Sequence, residues 1–209
     1  MNRKGADSFK NHASCSKIKC VIINSTAVAI DTGLWIVDGR NQEVFSKGHL
    51  PYSINLMEEG SFETWLGTII KPGEKFYLAA ETKEQLERLI ERTAAIGYEP
   101  QIEAGLVLHV TSMTDEILDI NKFRRSPEGY TVVDVRGNLE VQQKKIFENS
   151  INIPLTELRD HVKQIPLGKP IVVHCASGYR SAAASSIVKS ELNGNATVYN
   201  LGDAVKQFM

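Results

Sequence analysis

The chain has 209 residues, of which 42% are hydrophobic and 23% charged. That is the composition of a globular protein, and the length suits one large domain or two small ones. Lys and Arg number 24 against 25 Asp and Glu, a net charge of −1, which argues against nucleic acid or an anionic membrane as the main partner.

Residues 1–16 are polar and lack the apolar stretch of a signal peptide. They are expected to form a flexible lead-in. No apolar run approaches the ~18–20 residues needed to cross a bilayer. The cysteines stand at 15, 20 and 175, an odd number without regular spacing, so they form no disulfide framework. Cys15 and Cys20 are expected to be reduced, inert core residues. Free thiols suit a reducing compartment, and the chain is expected to be cytoplasmic.

Strands are expected at 34–37 and 76–79, and a helix at 83–96 with Leu86, Leu89, Ile90 and Thr93 on its core face and Gly97 closing it. Further on, 130–133 and 171–174 are short β-branched runs, expected as buried strands. Leu155, Leu158 and Val162 have helical spacing, and 166–170 is a turn. Residues 181–192, rich in Ala, Ser, Ile and Val, are expected as a helix ending near Gly194, followed by a strand at 196–199. Alternating strands and helices imply a mostly parallel α/β sheet with helices on both faces. Ligands bind such sheets at the carboxyl ends of the strands.

The chain also repeats itself. Val37-Asp38-Gly39-Arg40 recurs 96 residues later as Val133-Asp134-Val135-Arg136. Ser53-Ile54-Asn55-Leu56 recurs 97 residues later as Ser150-Ile151-Asn152-Ile153. Pro72-Gly73-Glu74-Lys75 aligns with Leu167-Gly168-Lys169-Pro170 at an offset of 95, and Gly97 with Gly194 at 97. Matches in one order with offsets this constant indicate two copies of one fold. The boundary is expected near 105–112, dividing the chain into a lead-in (1–16), a first domain (17–107) and a second (108–209).

One segment carries the chemistry. The strand at 171–174 runs into Cys175, and Ala176, Ser177, Gly178, Tyr179 and Arg180 lead into a helix at Ser181. The free N–H groups and dipole of a helix N-terminus favour a thiolate there. Successive N–H groups of a tight loop form an anion-binding nest, and Gly178 can supply the backbone turn it needs. Arg180 adds a fixed cation expected to hold an anionic substrate.

The segment Cys175-Ala176-Ser177-Gly178-Tyr179-Arg180 resembles the six-residue active-site loop of rhodaneses. Asp134-Val135-Arg136 and Ser150-Ile151-Asn152-Ile153-Pro154-Leu155 also resemble motifs of that family, and the repeat makes the resemblance one to a tandem rhodanese. It implies a sulfurtransferase: a donor such as thiosulfate, a persulfide or polysulfide gives its outer sulfur to Cys175, and the persulfide passes it to cyanide, a small thiol or another protein. Loop residues 176–180 are then the substrate-binding residues, and Asp134, Arg136 and Ser181 support the site. For Asp134 and Arg136 a structural ion pair stands against a direct substrate role, and the persistence of Asp38 and Arg40 in the first copy favours the structural reading. The silent-then-active order is similar to the rhodanese portion of fusions with a metallo-β-lactamase-like persulfide dioxygenase, which implies such a dioxygenase as a partner. Cysteine phosphatases resemble the loop too, but have five residues between Cys and Arg where this chain has four. A non-catalytic sulfide-sensing or protein-binding module is the alternative to an enzyme.

In the first copy, Ala80 aligns with Cys175, Lys83 with Gly178 and Gln85 with Arg180. Nucleophile, flexible residue and cation are all missing, so this copy is expected to be chemically silent. His174 and His49 are read as structural. No HxH, HExxH, GxGxxG or Walker A pattern is present, so no metal or nucleotide cofactor is expected.

Overall fold

The computed structural model describes residues 18–24 and 33–209. The lead-in and Cys15 lie outside the described residues. The elements are β1 (Cys20–Ile23), β2 (Trp35–Asp38), α1 (Gln42–Lys47), β3 (Ser53–Asn55), α2 (Phe62–Ile69), β4 (Phe76–Ala80), α3 (Lys83–Ala95), β5 (Ile102–Leu108), α4 (Ile120–Arg125), β6 (Thr131–Asp134), α5 (Asn138–Gln143), β7 (Ile151–Asn152), α6 (Leu158–His161), β8 (Ile171–His174), α7 (Tyr179–Leu192) and β9 (Val198–Asn200). A 3₁₀ segment, Gly202–Phe208, ends the chain.

They build two sheets, ordered β1-β5-β4-β2-β3 and β7-β6-β8-β9. Every strand pairing within them is parallel. Neighbouring strand residues point to opposite faces, and the core follows this alternation. Val37 and Leu78 from the larger sheet meet Val133 and Val173 from the smaller in one central cluster. Ile36 and Ala79 face a second cluster, and Val132 and Val172 a third with Phe123 of α4. Both faces of each sheet are therefore packed, as parallel sheets require.

The two halves share a construction. Arg40 Nε and Nη2 donate to the Asp38 carboxylate, and Nη2 donates on to Gly48 O at 2.8 Å. Arg136 does the same to Asp134 and to Lys144 O at 2.9 Å. Asn55 and Asn152 each donate from Nδ2 to the carbonyl of that arginine at 2.9 Å. These buried pairs pin the loop after β2 and the loop after β6. A direct substrate role for Asp134 and Arg136 gains nothing from this geometry.

The halves are locked together by α7. The helix is buried on nearly all sides, from Ser181 to Leu192, because it packs on its own strands β8 and β9 and on β3 of the larger sheet. A helix enclosed in this way shows no polar stripe. Its Ala182, Ala183 and Ala184 keep it close to its neighbours, and Ser186 Oγ accepts the Asn55 N–H at 3.0 Å. That bond occupies the β3 edge, which would otherwise be free to pair with another chain. Arg159 of α6 adds a bidentate pair to Glu74 and lies over Trp35.

Several expectations shift. The helix expected from Leu155 begins at Leu158, because Pro154 and Leu155 open a turn in which Glu157 N–H donates to Pro154 O. α7 starts two residues earlier than expected, since Gly178 caps it. β1 and β5 were not read as strands. Cys20, expected in the core, is exposed on β1, whose outer edge has no partner strand among the described residues.

Removing the Asp38 carboxylate leaves Arg40, 4% exposed, as an unpaired buried cation. Asp38→Ala is expected to destabilise the protein by about 3–5 kcal/mol, read as a shift in denaturant midpoint. The same truncation at Asp160, exposed in its pair with Lys71, should leave the midpoint within error.

Candidate active site

β8 delivers Cys175 to the carboxyl end of the smaller sheet, and α7 begins four residues later. Strand register sets His174 opposite Asp134, as it sets Ala79 opposite Asp38. Ala80 of the first half therefore occupies the place of Cys175, and that half has no sulfur at its strand end.

Gly178 is the pivot of the loop. Its φ of 98° is left-handed, and its N–H donates to Cys175 Sγ at 3.2 Å. A Cβ there would sit 3.1 Å from Asp203 N and Gly202 C, so the closing 3₁₀ segment also demands glycine. Gly178 O accepts the Ser181 hydroxyl at 3.0 Å, which ties the loop to the first turn of α7. The sulfur thus faces a main-chain N–H at the start of a 14-residue helix, where fixed dipoles favour negative charge.

Of the substrate-binding residues expected from the sequence, Ser177 is exposed and Ala176, Tyr179 and Arg180 are half-buried. Cys175 itself is 0% exposed and belongs to the central core cluster. The surrounding side chains therefore cover the sulfur completely. Tyr179 is anchored on the first half, its hydroxyl donating to Met57 O at 2.9 Å and its ring lying against Gly60. Burial pushes its phenol up from the ordinary value.

Arg180, expected to hold an anionic substrate, is already paired. Nη1 and Nη2 donate to Glu140 at 2.5 and 2.9 Å, and the guanidinium lies 6.0 Å from the Trp65 ring of α2. Glu140 also accepts the Gly137 N–H at 3.1 Å. The hydrogen bond from Arg180 chiefly, against a smaller effect of burial, brings the Glu140 carboxyl down to about 2.

His174 is buried, stacked edge-on against Phe147, with Nε2 unpartnered among the described residues and 3.7 Å from Asp134. Burial, the largest effect, outweighs the Asp134 charge and lowers its basicity. His49 is buried against Phe45, stacked at 4.2 Å, and bonds Phe45 O through Nδ1.

Glu140, Trp65, Met57 and Gly60 were missed. The repeat held a signal for Glu140: aligned from Arg40 and Arg136, Val44 stands at its place, just as Gln85 stands at that of Arg180. Both members of the ion pair are absent from the first half together. Trp65 and the 57–60 turn come from the other half of the chain and carry no local pattern.

Among the described residues no group of three or more His, Cys, Asp or Glu is placed to hold a metal ion, and no helix is long and apolar enough to cross a membrane.

Residues 119–209 match the rhodanese-like domain family, so the second half of the chain carries a rhodanese-like domain. No curated protein matches the chain. Among solved structures, it is similar to a rhodanese-related protein from Thermoplasma volcanium, with 26% identity over 44% of this chain and 89% of that one and a TM-score of 0.38. An NAD-dependent persulfide reductase from A. fulgidus matches at 32% identity over 44% of this chain and 16% of that one, TM-score 0.34. A thiosulfate sulfurtransferase from Pseudomonas aeruginosa matches at 15% identity over 81% of this chain and 38% of that one, TM-score 0.33.

Two outcomes are expected here. Gly178→Ala forces a non-glycine residue to positive φ against a backbone contact, and should cost about 1–3 kcal/mol in unfolding experiments. A carboxyl held lower in the folded state stabilises the fold above its unfolded value of 4.5 and loses that contribution as pH falls toward about 2. Wild type should therefore melt above Glu140→Gln at neutral pH, with the gap closing on acidification through that window; a gap independent of pH contradicts the pairing.

Proposed function

We propose that the chain is a sulfurtransferase in which Cys175 carries sulfur as a persulfide. The observation that carries this reading is the Gly178 N–H aimed at Cys175 Sγ, at the N-terminus of α7, inside a rhodanese-like domain. A thiolate there attacks the outer sulfur of thiosulfate, a persulfide or polysulfide, and a thiol or cyanide removes that sulfur in a second step. Residues 176–180 surround the entering donor, and Asp134, Arg136 and Ser181 hold the loop in place. The chain is read as a tandem, the first half being a silent rhodanese-like domain. The shared Asp–Arg–carbonyl construction and the matching strand registers support this. That half supplies Trp65 and the Met57–Tyr179 contact beside the active loop. A persulfide dioxygenase remains the partner suggested by the sequence resemblance, and the cytoplasm the proposed location.

The complete burial of Cys175 favours a second reading, a module that accepts sulfur and signals without turnover. One experiment separates the two. After incubation with thiosulfate or a persulfide, intact-mass and peptide analysis should show one added sulfur atom on Cys175, discharged by cyanide or thiol with repeated turnover and ping-pong kinetics. Cys175→Ser should lose both adduct and turnover. An adduct without turnover supports the sensor; activity retained in Cys175→Ser refutes both.

A further inference from the structure

Arg180 has no charge to spare for a donor. Both its terminal nitrogens serve Glu140, and one side of the guanidinium faces Trp65. Glu140 is held in turn by the Gly137 N–H in the first turn of α5. Its side chain stays 43% exposed, so whatever approaches the active loop meets a carboxylate and a cation already matched to it. The first half keeps the buried Asp–Arg pair but has Val44 and Gln85 at these two places. The Glu140–Arg180 pair therefore accompanies the cysteine and is dispensable for the fold shared by both halves.

We infer that Glu140 is a positioning residue that sets donor preference: by holding Arg180 and cancelling its charge, it makes the site favour a singly charged organic persulfide over dianionic thiosulfate. The inference rests on the sulfurtransferase reading and names its substrate class. In either reaction the Cys175 thiolate forms a new S–S bond to the outer sulfur of the donor, and the donor's own S–S bond breaks. The bonding pair leaves with the departing group, a thiolate R–S⁻ from a persulfide or the sulfite dianion from thiosulfate. No outside oxidant or reductant enters. The two donors differ by one negative charge, which arrives at a loop whose cation, Arg180, is already paired with Glu140. One unit of charge at a partly exposed site shifts such a balance by about tenfold.

The test uses the full chain and measures the second-order rate at which Cys175 gains one sulfur, by mass, from thiosulfate and from a short alkyl persulfide. Each rate is divided by that of the same donor with free cysteine. The wild type should favour the persulfide by about tenfold or more. Glu140→Gln, which keeps the shape but not the charge, should shrink that ratio about tenfold through a gain on thiosulfate. Glu140→Asp, which keeps the charge, should restore the preference. A wild type that favours thiosulfate overturns the inference whatever the variants do. So does a Glu140→Gln protein whose two rates change by the same factor, the mark of a purely structural role. If neither donor loads wild-type Cys175, the sulfurtransferase reading is removed, and the inference falls with it.

Discussion

The burial of α7 between two sheets is the constraint on which the site depends. A helix that packs on its own strands and also on β3 is held from two sides. Its first turn is therefore fixed, and so is the loop that feeds it. Gly178 makes the left-handed turn into the helix, donates to Sγ, and leaves no room for a side chain against Gly202 and Asp203. The position of one sulfur atom is thus set by packing on three sides: the smaller sheet, the larger sheet and the closing 3₁₀ segment. Small residues on α7 make this possible, because Ala182, Ala183 and Ala184 let both sheets approach its backbone.

The same arrangement gives the first half, which has Ala80 where the second has Cys175, a role in packing. Alone, α7 would expose an apolar side and β3 an unpaired edge. Together they close one continuous core around Val37, Leu78, Val133 and Val173. Trp65 and the Met57 carbonyl then reach residues flanking the cysteine. The outcome is a covered sulfur in a loop whose cation, Arg180, is matched to a carboxylate. Of the half-buried side chains in that loop, Tyr179 and Arg180 are the ones tied to partners outside it.

Much of the fold was legible in the sequence because strong local signals coincide with buried elements. The run at 171–174 is β8 to the residue, since three consecutive β-branched positions and His174 between Pro170 and the loop leave little alternative. The repeat gave the pairing of Ala80 with Cys175, because register in a parallel sheet is inherited with the strand pattern. β5 was harder: Glu103 and Gly105 interrupt its apolar run, and Gly105 is there because Leu86 packs where a side chain would stand. β1 is short and exposed at the edge, so Cys20 lies in solvent while looking, by residue type, like core. Arg180 was legible as a residue near the sulfur but not as one already paired. Its partner lies 40 residues away on another element, and ion pairs of that kind leave no periodic trace.

The central claim is that Cys175, held by α7, is where sulfur is carried. A crystal structure of the protein after exposure to a persulfide donor tests it most directly. The account predicts density for one additional sulfur bonded to Cys175 Sγ, within hydrogen-bond reach of loop N–H groups, with Gly178 still in its left-handed turn. An unmodified Cys175 in the same crystal, with the added sulfur on the exposed Cys20, would contradict it.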